Sequence, residues 1–250
     1  MKDEKYGVGK KFKTNEGYLV EVVEKINNGR RKIKFENGYE TMAKYYDIGE
    51  GRVKNPYHPS VYSVGYFGVG EYRASINYKQ TPEYRIWANV LKRCYDEKNQ
   101  ERCPTYKGVT VCQEWHSFQN FAKWYNDNLP KIYGVKFHLD KDLLQQAVKN
   151  KIYSPDTCVF LPQEINKFLN NKQSSNTSGY IGVHRYKTHK KWIAQIMVFG
   201  EDKGRHLGRF LTLEEASQAY QLARAEQAEK VKEYLRSFNY LLEEIIQLIK

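Results

Sequence analysis

Between Ser178 and Ala228 the chain sets three short alternating segments in a row and follows them directly with one amphipathic helix. The segments are Ser178-Gly-Tyr-Ile-Gly-Val-His-Arg185, Lys190-Lys-Trp-Ile-Ala-Gln-Ile196 and Arg205-His-Leu-Gly-Arg-Phe210. Alternation with period two reads as β-strand, and Thr212 with Glu215 three residues on forms a capping box that starts a helix. Trp192, Leu207, Gly208, Phe210, Ala216 and Ala219 would pack that helix against the sheet. The opposite set of side chains then turns outward: His184 with Tyr186, and Lys191 and Ile193 with Gln195. Arg185, Lys187, Lys190, Lys203, Arg205 and Arg209 surround this face, and His206 stands among them.

The whole chain is basic. Its 250 residues carry a net charge of +12, with a sequence pI near 9.3. This balance favours a polyanionic partner, because each Lys or Arg seated on a phosphate releases a counterion. The 21 Tyr lift the aromatic share to 14%, which suits stacking beside phosphate contacts, although most rings are expected in cores. No run approaches the roughly 20 apolar residues of a membrane span, so no membrane partner is expected. Met-Lys-Asp-Glu-Lys-Tyr at the start has no signal-peptide core. A cytoplasmic location follows, with four cysteines that are reduced thiols or metal ligands.

Three modules are expected, in an α+β fold. Residues 1–55 read as a small β module of SH3-like or Tudor-like type: Tyr18 to Ile26 alternates, Asn27-Asn28-Gly29 turns, Arg31 to Glu36 alternates with Ile33 and Phe35 inward, and Asn37-Gly38 turns again. Residues 56–80, punctuated by Pro56, Pro59, Gly65, Gly68 and Gly70, form a linker. The middle module, 81–172, opens with Thr81 as cap and Pro82 in the first turn of a helix that buries Tyr84, Trp87, Leu91 and Cys94. A second helix carries Trp115, Phe118, Phe121, Trp124 and Tyr125, a stripe that reads as core. A short helix runs from Gln163 to Asn170. After a polar joint at 173–179, the sheet module fills 180–250. Its last segment sets Phe238, Leu241, Leu242, Ile245, Leu248 and Ile249 on one face and folds back on the module.

Two resemblances follow from these residues. Tyr180, Gly182-Val183, Lys191-Trp192, Ala194, Ile196, Leu207-Gly208, Phe210, Glu214-Glu215-Ala216 and Ala219-Tyr220 resemble the plant Apetala-two/ethylene-response-factor (ERF-type) DNA-binding domain. That resemblance implies a three-stranded sheet in the major groove of double-stranded DNA, braced by a helix. Ile181 and His184 stand where the family carries arginines, Met197 replaces a basic residue and His206 replaces a groove-facing tryptophan. The plant-type target sequence is therefore not implied.

The middle module looks like the HNH-type endonucleases of bacteriophage genomes, through Tyr84-Arg-Ile-Trp87, Arg93-Cys-Tyr95, Val111-Cys-Gln-Glu-Trp115, Phe118, Phe121, Leu139-Asp-Lys-Asp142 and Tyr153-Ser-Pro-Asp-Thr-Cys158. This resemblance implies a bacterial host cytoplasm and a divalent metal, Mg2+ or Mn2+, beside a histidine base. The match is incomplete. Asp140 or Asp142 occupies the place of the base, Thr157 that of the middle asparagine, and Asn166 falls near the final position. Aspartate is a weak base near neutral pH. His138, two residues before Asp140 and so on the same strand face, can supply the base with Asp140 and Asp142 as metal ligands. The cysteines lack Cys-x-x-Cys clips, and a zinc site on Cys94, Cys112 and Cys158 is the lesser expectation.

Three functions are compatible with this reading. The chain is expected to be a phage-type double-stranded DNA-binding protein with a degenerate HNH-like module. Its rivals are a metal-dependent nicking or homing endonuclease using His138, Asp140, Asp142 and Asn166, and a phage adaptor that binds a host protein through the N-terminal module.

Overall fold

Alternating strands with one apolar face and helices with one apolar stripe must each find a cover, and this chain does so in an α+β fold with several small antiparallel sheets. The computed structural model describes residues 2–27, 29–169, 178–185, 190–201 and 203–250, without the side chains of Lys2 and Asp3. Asn28, Asn170 and positions 173–177 of the expected joint lie outside the described residues. The chain divides into two compact units, Met1–Lys107 with Val111–Lys123 and Gly108–Thr110 with Trp124–Lys250.

In the first unit a short helix α1 (Lys2–Lys5) precedes a meander of β1 (Lys11–Lys13), β2 (Leu19–Lys25), β3 (Arg30–Phe35) and β4 (Glu40–Lys44), each antiparallel to the next, and then α2 (Tyr45–Gly49). Alternation puts Val20, Val22, Ile33 and Phe35 into a core closed by Tyr6, Ala43, Ile48 and Val53. Arg31 is also buried there, its guanidinium donating to the carbonyls of Tyr6, Asn27 and Arg30. Residues 56–80 contain no helix; they end in the hairpin β5 (Ser75–Ile76) and β6 (Lys79–Gln80). In α3 (Pro82–Tyr95) the Thr81 hydroxyl accepts the Tyr84 N–H at 3.4 Å, and Trp87, Val90, Leu91 and Cys94 are buried. Next come α4 (Glu97–Arg102), and then β7 (Thr110–Val111) and α5 (Phe118–Asn128), whose residues are divided between the first unit and the second. Trp115 belongs to a 3-10 turn ahead of α5, and its ring meets Phe121 edge-on at 5.0 Å.

In the second unit β8 (Phe137–Asp140), β9 (Ile152–Tyr153), β10 (Val159–Pro162) and α6 (Gln163–Leu169) precede the sheet β11 (Val183–Arg185), β12 (Trp192–Met197) and β13 (Gly204–Phe210). Helix α7 (Leu213–Arg236) follows, and then α8 (Glu243–Ile246). β8 and β10 pair antiparallel with α6 directly after them, a strand–strand–helix unit. Helix α7 serves two cores. Its first half gives Ala216, Tyr220 and Ala223 to the three-stranded sheet, and its second half gives Ala228, Val231 and Leu235 to Leu161, Ile165 and Phe168 of the strand–strand–helix unit.

The C-terminal stripe differs from the expected one. Ile246 and Ile249 are buried, whereas Leu242 is 67% and Leu248 36% exposed. Asn239 takes φ +49° and Leu242 is extended at φ −67°, ψ 142°, so the helical count begun at Phe238 restarts at Glu243. No helix of the described residues is long and apolar enough to cross a membrane.

Candidate nucleic-acid interface

Antiparallel register decides which side chains of the sheet share a face, because residues directly opposite point the same way. Val183 and Gly208 both face Ala194, and Trp192 faces Arg185 and Phe210. Val183, Ala194 and Ile196 lie in the core against α7 with Trp192, Leu207 and Phe210 beside them, so this is the covered side. His184 and Arg209 face Ile193, and His206 faces Gln195; these side chains form the outer side. His184, Gln195, His206 and Arg209 are all exposed there, whereas Ile193 between them, expected outward, is buried at 8% exposure.

A bulge sets that arrangement. Ala194 pairs with Gly208 but Gln195 pairs with His206, so Leu207 is the extra residue and turns into the core. Unbroken alternation from Arg209 would put Arg205 outside and His206 inside. The bulge reverses them: His206 joins Gln195, and Arg205 pairs with Ile196 on the covered side. Arg185 is likewise on the covered side, its guanidinium 5.9 Å from the centre of the Trp192 ring. Both arginines are nonetheless exposed. Lys190 and Lys191 just before β12, and Lys203 just before β13, are exposed as well. None of the three strands contains Asp or Glu. Tyr186 and Lys187 lie outside the described residues.

The bracing is close. Gly182 takes φ +73°, and a Cβ there would stand 2.1 Å from the Tyr220 ring of α7 and 2.7 Å from the Gln195 carbonyl. Ala216, Ala219 and Ala223 let the helix approach the sheet. Thr212 and Glu215 complete their capping box at 3.2 Å in both directions.

The strand–strand–helix unit places the other expected residues. His138 is exposed on β8, and Asn166 Nδ2 on α6 lies 3.5 Å from its Nδ1. Asp140 is buried, and its Oδ1 accepts the N–H groups of Asp142 and Leu143 at 2.9 and 2.8 Å. Burial pushes the Asp140 carboxyl above its usual range despite those bonds. Asp142 is held by Lys141 Nζ at 2.8 Å and by Lys151 Nζ. Burial acts to raise Asp142, but the two lysines, by hydrogen bond and charge, hold it below the ordinary carboxylate value. Thr157 ties its own turn, its hydroxyl donating to the Ile152 carbonyl at 2.7 Å and accepting the Ser154 N–H at 3.0 Å.

The structure thus brings His138 to Asn166 and puts Asp140 and Asp142 in one turn, without joining them into a metal-holding set. Among the described residues no group of three His, Cys, Asp or Glu is placed to hold a metal ion. One carboxylate is engaged by backbone amides and the other by two ammonium groups, so this donor set does not fit Mg2+ or Mn2+. Cys94, Cys112 and Cys158, all among the described residues, form no such group for zinc either. Cys94 and Cys158 are buried, and burial pushes the Cys158 thiol up to about 12. Sequence reasoning passed over Lys141 and Lys151; the signal available was the Asp-Lys-Asp run itself, where a buried carboxylate turn needs a cation.

Comparison of the chain with protein-family models, with curated proteins and with solved structures returns no match.

Proposed function

We propose that this chain is a phage-type double-stranded DNA-binding protein that presents the outer face of β11–β13 to the major groove. The supporting observation is the coincidence of His184, Gln195, His206 and Arg209 on one exposed, carboxylate-free sheet face whose other side is braced by α7. Arg209 has the geometry class for two parallel bonds to guanine, and Gln195 for adenine. Arg185, Lys190, Lys191, Lys203 and Arg205 would hold phosphates at the rim. The strand–strand–helix unit acts as a degenerate HNH-like module without hydrolysis, consistent with the engaged Asp140 and Asp142.

The test is fluorescence anisotropy on a mixed-sequence duplex across a salt series. About five phosphate contacts give a slope of log K against log salt of about −4.5, and Lys191→Gln reduces its magnitude by about 0.9. Arg209→Ala relaxes base preference instead, by about 1–3 kcal/mol at one position. Affinity that is flat with salt would overturn the reading. Supercoiled plasmid with Mg2+ or Mn2+ separates binding from hydrolysis. Retardation without nicking is expected, and metal-dependent nicking lost in His138→Ala would replace this proposal by the endonuclease.

A further inference from the structure

The hairpin β5–β6 in the first unit carries a side chain that no packing explains. Ile76 pairs with Lys79, so Asn77 and Tyr78 alone make the turn. Both take positive φ, +49° and +62°, as a type I′ turn requires. Asn tolerates that region, but the second position is the ordinary place of glycine, and a tyrosine there is strained. Tyr78 gains nothing for this within the chain: it is 107% exposed. All six residues from Ser75 to Gln80 are exposed, so the hairpin has no core side.

Its base is nevertheless fixed. Thr81, 6% exposed, sends its N–H to the Ala74 carbonyl at 3.0 Å and its hydroxyl to the Arg73 carbonyl at 3.0 Å. One turn earlier Gln119 clasps Tyr72, accepting its N–H at 3.0 Å and donating to its carbonyl at 2.9 Å. An anchored base thus carries a strained aromatic ring clear of the surface, and strain of this kind gathers where a chain meets a ligand.

From this geometry we infer that Tyr78 is a second nucleic-acid contact, a ring that stacks on an unpaired nucleobase beside the duplex. The surroundings favour a base over a protein pocket. A ring that anchors a protein interface sits amid other apolar side chains that exclude water. Around Tyr78 stand Ser75, Asn77, Lys79 and Gln80, with Ile76 the single apolar neighbour in the hairpin. Arg73, Lys79 and Arg85 outnumber Glu71 and Glu83 along the hairpin and its flanks, so phosphates are tolerated beside the ring. Stacking with a nearby cation is the pattern of sequence-tolerant nucleic-acid contact. This assignment rests on the DNA-binding reading above.

Tyr78→Gly separates fold from function, because it relieves the turn while removing the ring. The full-length variant is expected to unfold at a slightly higher temperature than the wild type. It should bind a duplex that carries a single-stranded overhang about tenfold more weakly, the scale of one lost base–aromatic stack. Tyr78→Trp keeps the affinity, and the emission it adds over the wild type is quenched by the overhang-bearing DNA. Wild-type binding to that DNA that Lys191→Gln weakens and Tyr78→Gly leaves unchanged overturns the hairpin assignment alone, and hands Tyr78 to a protein partner. A wild type that binds no duplex removes the DNA reading and this contact with it.

Discussion

Replacing Gly182 by alanine tests the bracing on which the interface depends. At φ +73° an alanine pays the left-handed penalty of about 1–2 kcal/mol. Its Cβ would also stand 2.1 Å from Tyr220, whose ring is in the core between sheet and helix. Overpacking of that order costs about 1–3 kcal/mol, so Gly182→Ala should destabilise the sheet by about 2–5 kcal/mol. Gly200 supplies the control: it takes φ +81° with nothing within 4 Å of the added carbon. Gly200→Ala should therefore cost only about 1–2 kcal/mol.

Hydrogen exchange read on the Gln195 amide reports the difference locally, because that N–H bonds to the Gly182 carbonyl at 2.9 Å. Relative to Gly200→Ala, Gly182→Ala should lose a further factor of about 5 to 150 in protection, equivalent to about 1–3 kcal/mol. Duplex affinity should fall with it as His184 loses its place opposite Ile193. Equal protection in the two variants would refute close packing of this loop on α7. Lost protection with undiminished affinity would refute the sheet as the DNA-contacting element.

Three further outcomes are expected. Thr212→Ala removes the acceptor for the Glu215 N–H and should cost about 1 kcal/mol, seen as faster exchange in the first turn of α7. In native protein, labelling with iodoacetamide at mildly alkaline pH should spare Cys158, whose thiol is pushed up to about 12 by burial, and modify the half-buried Cys103, as peptide mapping would show. Asp142 is depressed in the folded state, so its contribution is present above the unfolded carboxylate value and is lost as pH falls through the folded one. Asp142→Asn should therefore cost about 1–2 kcal/mol at neutral pH, discounted for its partial exposure, and flatten the acid side of the denaturant-midpoint curve; an unchanged acid limb would show that Lys141 and Lys151 do not stabilise the carboxylate.

Much of this was legible along the chain. Alternation located β2, β3 and β12, the Thr81 and Thr212 caps started α3 and α7, and the spacing of Trp87, Leu91 and Cys94 marked the buried face of α3. The C-terminal stripe was misread because helical counting assumes continuous helix, and Asn239 and Leu242 interrupt it. At the strand–strand–helix unit, spacing placed His138 near Asp140, but it could not show that Asp140 would bind two amides or that Lys151, nine residues on, would reach Asp142.

By itself the sequence determined the period of each segment, its start and the excess of cations near β11–β13, since these follow from covalent geometry and side-chain type. Tertiary structure alone decided which cations face outward. The bulge opposite Ala194 and Gln195 exchanged Arg205 for His206. Register and bulges arise from pairing between strands that meet only in the folded chain, so no local pattern could have fixed them.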